Sequence, residues 1–375
     1  MNFTKNSNMT IAMFGHKQCL SYEGGVETVV RKLSVRMSEK KCAVTCYDRR
    51  THGKNSILPS NRKNYKNIRI IPVWTIDRKG IAAMTGSVSA AIRSSLGRYD
   101  VVHIHAEGPA AMCWLPRLFK KKVVVTVHGL DWARSKWGCL ARRYIRFGEK
   151  MAVRYADEII VLSRDVQNYF LKEYGRKTTY IPNGVRQAVF RDADEIKVRW
   201  GLKKDSYVLF VGRIVPEKGI SYLIDAWKNV DTDKQLVIVG GSSDSTSFMK
   251  EMHNRAGDNV IFTGFQQGNI MEELYSNAYI YCLPSELEGM PLSLLEAMSF
   301  ANCCLVSDIP ACTEVVENRA VLFEKNNVKD LTAKLQMLLD EPQTVLKYRE
   351  GIAQYVTAKY NWDDVVDRTL ELYRK

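Results

Sequence analysis

Short apolar runs alternate with helix-forming stretches along the whole chain, and this alternation constrains the fold more than any other feature. The first series predicts strands at residues 10–14, 43–47, 68–72, 101–105, 123–127, 158–162 and 179–181. The second predicts strands at residues 208–211, 236–239, 260–262, 279–283, 304–306 and 321–323. Strands that alternate with helices form parallel sheets wound by those helices. The sequence therefore predicts an α/β protein with two successive sheets.

The length of 375 residues supports the same division. A chain of this size is too long for one ordinary core and suits two α/β domains. Residues 182–205 are polar and rich in turn-forming residues, which is typical of a linker. The predicted domains are residues 1–185 and 186–358, and residues 359–375 end the chain as a helix.

Charge is distributed unevenly along the chain, whose formal net charge is +14. Residues 1–183 hold 33 Lys and Arg against 13 Asp and Glu, whereas the remainder holds 22 against 28. We therefore expect the first half to meet an anionic partner, such as lipid headgroups or a pyrophosphate-bearing acceptor. Nucleic acid is a weaker alternative, because aromatic residues rarely interleave with the basic clusters.

The cysteine pattern bears on the compartment. The nine cysteines are odd in number and scattered, without a Cys-x2-Cys pair, which indicates reduced thiols and disfavours a zinc framework. The chain starts with a short polar stretch instead of a signal peptide, and no run approaches the roughly 18 apolar residues of a membrane span. We therefore expect a cytoplasmic protein.

The stretch SELEGMPLSLLEAMSF joins a predicted strand to a helix and places two carboxylates, Glu288 and Glu296, eight residues apart. Pro284 ends the strand, and Pro291 suits the first helical position because its missing N–H is not needed there. The free N–H groups of the helix start can hold a diphosphate, and the carboxylates can accept hydrogen bonds from sugar hydroxyls. Taken alone, such a pair is more typical of a solvated surface helix with one capping Glu.

Two loops of the first series follow strands. Gly24 and Gly25 precede a helix, where paired glycines let backbone N–H groups approach a phosphate or a sugar. The loop before them is too long for the G-x-G-x-x-G fingerprint, which disfavours NAD. His128, Asp131 and Trp132 follow another strand, where open α/β sheets bind ligands. At such a position His128 could equally be a hydrogen-bonded structural residue or a residue of the active site.

The second series carries two cations after its first strand. Arg213 and Lys218 lie in VGRIVPEKG, on a loop where they can clamp a diphosphate without a metal. Phe265 follows a later strand, at a place where a ring can hold a nucleobase. Because surface Arg and Lys are common, only the position of these residues is informative.

Taken together in chain order, the motifs resemble the family 4 glycosyltransferases of the GT-B fold. The matching stretches are EGGVE, VHGLD, IPNGV, VGRIVPEKG and ELEGMPLSLLEAM, and the resemblance covers nearly the whole chain. It implies two Rossmann-like domains facing across a cleft, with the final helix crossing back onto the first domain. It also implies metal-independent transfer of a sugar from a nucleotide donor, with retention at the anomeric carbon. GHKQCLSYEGG and HGLDWARSKWG are similar to the branch that builds bacterial surface polysaccharides, including rhamnosyltransferases.

The same resemblance implies roles for individual residues. The catalytic set is His128, Arg213, Lys218 and Glu288. Arg213 and Lys218 would hold the donor phosphates, Glu288 and His128 the transferred sugar, and Glu296 the ribose. The full donor-binding set is Gly24, Gly25, Arg213, Lys218, Phe265, Glu288, Gly289, Met290, Pro291, Leu292 and Glu296. The acceptor-side candidates are His16, Lys17, Glu23, Asp131 and Trp132.

One departure from the family pattern affects the donor site. Many relatives have Gly where this chain has Pro291, so one N–H donor is lost and Met290 and Leu292 must supply the others. The expected partners are a nucleotide-sugar, with UDP or TDP favoured over GDP, and a saccharide or lipid-pyrophosphate-linked acceptor. We expect no metal cofactor and no nucleic acid. Two alternatives stay open: a sugar phosphorylase or nucleotide-sugar epimerase of the same architecture, and a basic anion-binding or nucleic-acid-binding module.

Two metal-like signals are interpreted as structural. Asp192 and Asp194 spell the Asp-x-Asp of metal-dependent glycosyltransferases, but they precede a predicted helix, where acidic residues act as caps. His103 and His105 alternate on one strand face without a third ligand at a suitable spacing. Packed or hydrogen-bonded histidines are therefore the preferred interpretation, with His105 and Glu107 able to line a cleft.

A helix predicted after residue 138 carries an apolar stripe beside a basic one. The apolar stripe is Leu140, Tyr144, Phe147, Met151 and Tyr155, and the basic stripe is Arg143, Arg146, Lys150 and Arg154. Together with residues 120–122, all lysine, it supports the hypothesis of peripheral attachment to anionic lipid on the inner face of the cell membrane. A core-facing stripe with a solvated basic flank is the equally supported alternative.

Overall fold

The computed structural model describes residues 9–22, 24–50, 64–78, 80–134, 137–241 and 246–375. The chain divides into two compact units. The first reaches Asn183 and also includes Trp362–Lys375, and the second is Gly184–Asn361. Each unit has its own sheet and its own buried core.

The first unit is a sheet with helices between its strands, and it is parallel except for one short strand at its edge. Its elements are β1 (Thr10–Phe14), α1 (Gly25–Glu39), β2 (Ala43–Arg49), β3 (Asn64–Tyr65), β4 (Ile68–Val73), α2 (Ile81–Leu96), β5 (Val101–His105), α3 (Glu107–Ala110), α4 (Trp114–Leu118), β6 (Lys122–Val127), α5 (Cys139–Tyr155), β7 (Glu158–Val161), α6 (Arg164–Tyr174) and β8 (Thr179–Tyr180). Within the described residues the strand order is β3-β4-β2-β1-β5-β6-β7-β8. The order reverses between β1 and β5, which pair in parallel with Ile11 opposite Val101. Open α/β sheets bind their ligands at such a reversal.

The second unit repeats this plan with six strands in the part of the chain described. Its elements are α7 (Glu195–Trp200), β9 (Tyr207–Val211), α8 (Ile220–Trp227), β10 (Gln235–Val239), α9 (Thr246–Arg255), β11 (Val260–Gly264), α10 (Asn269–Ser276), β12 (Ile280–Leu283), α11 (Leu292–Ser299), β13 (Cys303–Ser307), α12 (Pro310–Val316), β14 (Val321–Phe323), α13 (Val328–Asp340), α14 (Pro342–Arg349) and α15 (Ile352–Lys359). The strand order is β11-β10-β9-β12-β13-β14, all parallel. Here the reversal lies between β9 and β12, where Val208 pairs with Ile280.

The last helix, α16 (Trp362–Arg374), belongs to the first unit. Salt bridges join its Asp363 to Arg36 at 3.3 Å and its Asp367 to Lys40 at 2.5 Å. The ring of Tyr373 is buried in the same unit. The end of the chain is therefore held against α1 by charge and against the sheet by packing.

The prediction of two parallel sheets is confirmed, and every predicted strand is present with its ends within two residues of the prediction. The signal was clear because central strands of parallel sheets are buried on both faces and read as continuous apolar runs. β3 was not predicted, because it has two residues and pairs antiparallel to β4 at the sheet edge. Among the described residues, none of the helices combines the length and the apolar character that crossing a bilayer requires.

Candidate active site

The loop between β12 and α11 carries the predicted carboxylates. Pro291 was predicted at the first helical position, and this was wrong: its ψ of 107° is extended, so it precedes the helix, which begins at Leu292. Gly289, Met290 and Pro291, the last residues of this loop, are buried. In α11 the buried residues include Leu294, Leu295 and Met298, so the helix is anchored to the sheet by its apolar side.

An ion pair joins this loop to Lys218. Lys218 Nζ forms a hydrogen-bonded ion pair with Glu288 Oε1, and their side chains are 13% and 10% exposed. Ser285 Oγ donates to the same carboxylate oxygen at 2.7 Å. The residue predicted to hold phosphate and the residue predicted to hold the sugar are therefore in direct contact, with little water to screen the pair.

Gly219 is the reason that the two loops meet. Its φ is +66°, and a Cβ there would lie 1.9 Å from the carbonyl oxygen of Pro284, so any side chain would push the loops apart. Glu286 N also donates to Glu217 O at 2.9 Å across the same junction. Since β9 and β12 are neighbours, their following loops share the reversal point. Neither Gly219 nor Ser285 was predicted as a site residue, although Gly219 ends the stretch VGRIVPEKG and Ser285 begins the stretch SELEGMPLSLLEAMSF.

The remaining candidates of the second unit lie around this pair. Arg213 is on the same loop as Lys218, half-buried, with Nη2 4.0 Å from Glu217 Oε1. Glu296 lies in the second turn of α11 and accepts a hydrogen bond from Tyr275 Oη at 3.3 Å. Phe265 directly follows β11 and is 46% exposed. The structure thus brings Lys218 and Glu288 together, places Arg213 and Phe265 on loops that follow strands of the same sheet, and places Glu296 within α11.

In the first unit the reversal point begins at Gly15. A Cβ at this glycine, whose φ is +111°, would lie 2.0 Å from the carbonyl oxygen of His105, so β1 and β5 end in close contact. The next residue, His16, is buried with Nε2 2.8 Å from Asp48 Oδ1. Burial lowers the pKa of His16, but the hydrogen bond and charge of Asp48 outweigh it, so the pKa is raised. Asp48 was missed by the sequence analysis, although it is an acid at the end of a buried strand.

The start of α1 is open. Gly24 occupies the N-cap, and a Cβ on Gly25 would meet no atom within 4 Å. Glu27 Oε1 accepts the backbone N–H of Lys17 at 2.9 Å, while Lys17 itself is exposed. The helix start therefore leaves room for a ligand beside the backbone. The acceptor-side candidate Glu23 lies outside the described residues.

Three histidines form a buried ladder beneath the same edge. His128 Nε2 lies 3.1 Å from His105 Nδ1, and the rings of His105 and His103 are 4.1 Å apart. His103 in turn contacts Thr126 Oγ1 at 2.6 Å and Tyr373 Oη at 2.5 Å. Burial lowers the pKa of His128 to about 4 and of His103 to about 3, and it lowers the pKa of His105 well below the usual value. At neutral pH the ladder is therefore uncharged.

The loop after β6 is fastened by carboxylates. Glu107 Oε2 accepts the backbone N–H of Asp131 at 2.7 Å, and Asp131 Oδ1 accepts from Arg134 Nε at 2.8 Å. Burial, followed by the neighbouring Glu149, raises the pKa of Glu107 well above its usual value. Trp132 Nε1 donates to Glu149 at 3.3 Å. Trp132 thus uses its side-chain N–H within the unit, and the guanidinium carbon of Arg146 lies 4.1 Å from the centre of its ring.

The two metal-like signals have structural roles or surface positions. Asp192 and Asp194 are exposed, and Asp194 occupies the N-cap of α7 but makes no side-chain cap. The predicted capping is therefore wrong in detail, because Glu273 Oε2 accepts the N–H of Ile196 at 3.1 Å instead. Within the described parts of the chain, no three His, Cys, Asp or Glu side chains gather as metal ligands would.

The predicted apolar stripe of α5 lies beside the buried side of that helix, which consists of Ile145, Gly148, Glu149 and Ala152. Met151 and Tyr155 pack partly buried against the core of the first unit, and Tyr144 is half-buried. Leu140 and Phe147 are exposed. The core-facing alternative therefore holds for Met151 and Tyr155 but not for Leu140 and Phe147.

Comparison with protein families covers both units. The description "Glycosyltransferase Family 4" matches residues 23–188, and "Glycosyl transferases group 1" matches residues 192–359. The chain is 28% identical over 263 residues to the UDP-Gal:alpha-D-GlcNAc-diphosphoundecaprenol alpha-1,3-galactosyltransferase of Escherichia coli, covering 65% of this chain and 67% of that protein.

Solved structures share the fold over nearly the whole length. Sucrose-phosphate synthase from Thermosynechococcus elongatus superposes with a TM-score of 0.84 at 21% identity, covering 98% of both chains. Anabaena HepE in complex with UDP-glucose superposes with a TM-score of 0.81 at 16% identity, covering 97% of this chain and 99% of HepE. The strand orders, the two reversal points and both family matches agree, and the chain belongs to the family 4 glycosyltransferases of the GT-B fold.

Proposed function

We propose that this glycosyltransferase moves a sugar from a UDP- or TDP-linked donor to a saccharide or lipid-pyrophosphate-linked acceptor, without a metal. The observation that carries the donor half is the Lys218–Glu288 pair at the β9–β12 reversal, with Arg213 on the same loop. A diphosphate would compete with Glu288 for Lys218, because both are oxyanions. Once released, Glu288 could accept hydrogen bonds from hydroxyl groups of the transferred sugar.

Charge stabilisation of the leaving group would be the main catalytic effect. As the bond between the anomeric carbon and the diphosphate oxygen breaks, negative charge grows on the diphosphate. Arg213, Lys218 and the N-terminus of α11 would stabilise that charge more strongly than they stabilise the bound donor. The acceptor oxygen bonds to the anomeric carbon and its proton passes to the leaving diphosphate on the same face, which gives retention. The scheme needs no protein nucleophile.

The first unit would serve the acceptor and the transferred sugar. His128 is neutral at pH 7, so it would act as a hydrogen-bonding group for a hydroxyl and not as a cation. His16, Lys17 and Asp131 lie near the strand ends and the open start of α1. The basic character of residues 1–183 supports an acceptor that carries a pyrophosphate. The Escherichia coli relative, whose name gives a diphosphoundecaprenol-linked acceptor, supports the same class.

The base preference is drawn from relatives and from one exposed ring. The HepE complex contains UDP-glucose, and the Escherichia coli relative uses UDP-Gal. Phe265, exposed at the end of β11, is the candidate for contact with the base. Glu296 would accept hydrogen bonds from the ribose hydroxyls.

A thermal-shift screen tests the proposal. UDP, TDP and GDP, each alone and with a linked sugar, are added to the full chain, since a ligand of the native state must raise its melting temperature. We expect shifts with UDP or TDP compounds, smaller shifts with GDP, and loss of all of them in Lys218→Ala. Absence of any shift in the wild type, or an undiminished shift in Lys218→Ala, would overturn the assignment.

A further inference from the structure

Helix α2 carries its large apolar side chains on the outside of the first unit. Its buried residues are small: Gly86, Ser87, Ala90, Ala91, Ser94 and Ser95. The inner serine hydroxyls donate to backbone carbonyls of the same helix, as Ser87 does to Ala83 O at 2.7 Å. The large residues Ile81, Met84, Val88, Ile92 and Leu96 are 38% to 69% exposed. This arrangement is the reverse of an ordinary surface helix, which buries its large apolar side chains.

Helix α4 and the segment before α2 extend this surface. α2 and α4 pack side by side, and Trp114, Leu118 and Phe119 are exposed on and directly after α4. Trp74 is exposed before α2, and Ser89 Oγ donates to its carbonyl at 3.0 Å. We call this surface the α2–α4 face; its members are Trp74, Ile81, Met84, Val88, Ile92, Leu96, Trp114, Leu118 and Phe119. Exposed apolar patches of this extent mark interaction surfaces in soluble proteins.

Most charges around the α2–α4 face are positive. Residues 80–99 and 108–122 contain no Asp or Glu, whereas they contain Arg93, Arg98, Arg117 and three consecutive lysines. Two acids lie beside the face: Asp77, which is exposed between Trp74 and Ile81, and Asp157, which is paired with Arg117 at 2.7 Å. An apolar surface bordered mainly by cations is complementary to negatively charged headgroups above an apolar layer.

We propose that the α2–α4 face docks the enzyme on an anionic lipid bilayer. The outward stripe of α2 runs the length of its 16 residues, roughly 24 Å, so the helix would lie along the membrane surface. A second copy of the chain is a poorer occupant, because an isologous contact would bring the same cations towards one another with few acids to offset them. This location differs from the α5 stripe, of which Met151 and Tyr155 pack against the core.

Vesicle co-sedimentation tests the docking. The full chain is mixed with phosphatidylcholine vesicles that contain or lack phosphatidylglycerol, at low and high salt. Ile92→Gln/Leu96→Gln/Leu118→Gln removes apolar contact, and its control is Val198→Gln, which alters an 88% exposed valine of the second unit. Lys120→Glu/Lys121→Glu removes charge, and its control is Lys203→Glu/Lys204→Glu, which alters two exposed lysines of the second unit.

We expect the wild type to bind phosphatidylglycerol vesicles at low salt and both controls to bind equally well. The apolar triple variant should bind at least about tenfold more weakly, because it replaces three of the nine apolar members, including the two most exposed, Leu96 and Leu118. The charge variant should lose the preference for phosphatidylglycerol and the salt dependence. Brominated lipid should quench less fluorescence in Trp114→Phe than in the wild type.

Several outcomes would overturn the inference. One is failure of the wild type to bind phosphatidylglycerol vesicles, and another is binding of the triple variant that equals that of its control. A third is a dimer, detected by light scattering, that the triple substitution dissociates, because the occupant of the face would then be a second copy of the chain. The inference does not rest on the donor assignment, so the melting shift with UDP compounds is measured on the same variants: its retention shows that the folded donor site is intact.

Discussion

The two strand-order reversals have the same topology but different electrostatics. In the second unit, the residues at the reversal are cations and carboxylates in contact, headed by Lys218 and Glu288. In the first, burial holds His128 and Glu107 neutral by lowering the pKa of the histidine and raising that of the acid, and the charged groups are enclosed: His16 is paired with Asp48, and Arg49 Nη2 donates to Gly15 O at 3.0 Å. A charged, exchangeable pair suits an anion that arrives and leaves. Neutral donors and acceptors suit hydroxyl groups that must be oriented.

The comparison also shows that the net charge of a segment does not predict its site. The first half is strongly basic, yet the groups at its reversal point are mostly buried histidines and acids, and His103, His105 and His128 are neutral. The second half has more acids than bases, yet its reversal point carries Arg213 and Lys218. Much of the basic excess of the first half lies on its surface, including the border of the α2–α4 face. The net charge of a segment therefore indicates the character of its surface, whereas the residues at the strand ends indicate the character of its binding site.

Removal of the phosphate-binding cation should have the largest effect. Lys218→Ala should lower kcat by about 100-fold to 1,000-fold, the usual loss when one group that stabilises a developing anion is deleted. Steady-state kinetics and thermal unfolding measure it beside Lys203→Ala, an exposed lysine of the same unit. Intact activity with a lowered melting temperature would give Lys218 a purely structural role.

The contact between the two loops of the second unit can be broken at Gly219. Gly219→Ala should lower the free energy of unfolding by about 3 kcal/mol, because its Cβ would overlap the carbonyl of Pro284 in addition to the left-handed strain. Gly201→Ala is the control: its φ is +69° but its Cβ would meet nothing within 4 Å, so about 1 kcal/mol is expected. Equal losses in urea unfolding would show that the loop junction is not constrained as described.

Acid should loosen the first unit before the second. The pKa values of His128 and His103 are about 4 and about 3 in the folded state, against about 6.5 when unfolded. Between those values the unfolded chain binds more protons, so stability falls as pH falls from 6.5. Each histidine removes on the order of 2 kcal/mol by pH 5. His16 acts in the opposite direction, because its pKa is raised.

Hydrogen exchange at pH 7 and pH 5, corrected for intrinsic rates, resolves the two units. Protection should fall more in the first unit than in the second over this interval. Glu272 of the second unit has a lowered pKa, so its contribution is lost only below the interval. An equal fall in both units, or a larger fall in the second, would contradict the assignment of the ladder as buried and neutral.

The smallest expected effect concerns the orientation of His128. His105→Leu removes the nitrogen 3.1 Å from His128 Nε2 and should lower kcat roughly fivefold, about the worth of one hydrogen bond, with the KM for donor unchanged. His105→Asn keeps a polar atom near that position and should recover most of the activity. Equal kcat values in the two variants would show that His105 does not orient His128.

The sequence predicted the strands and the motif positions because both are local patterns. It could not predict that Lys218 touches Glu288, since that contact depends on Gly219 fitting against Pro284 in another loop. Asp48 was missed because a single acid at a strand end has no periodic signal. Periodicity singled out α5 as amphipathic but passed over α2, whose inner face of Gly, Ala and Ser contrasts weakly with its apolar outer face.

We expect a nucleotide diphosphate to displace the Glu288 carboxylate from Lys218, and calorimetric titration of UDP tests this displacement most directly. Wild type, Lys218→Ala and Glu288→Gln are titrated under the same conditions. We predict at least about tenfold weaker binding by Lys218→Ala, a loss of about 1.4 kcal/mol. Glu288→Gln should bind UDP at least as tightly as the wild type, because the competing carboxylate is gone, while sugar transfer is lost. Wild-type affinity in Lys218→Ala, or weakened binding in Glu288→Gln, would contradict the claim.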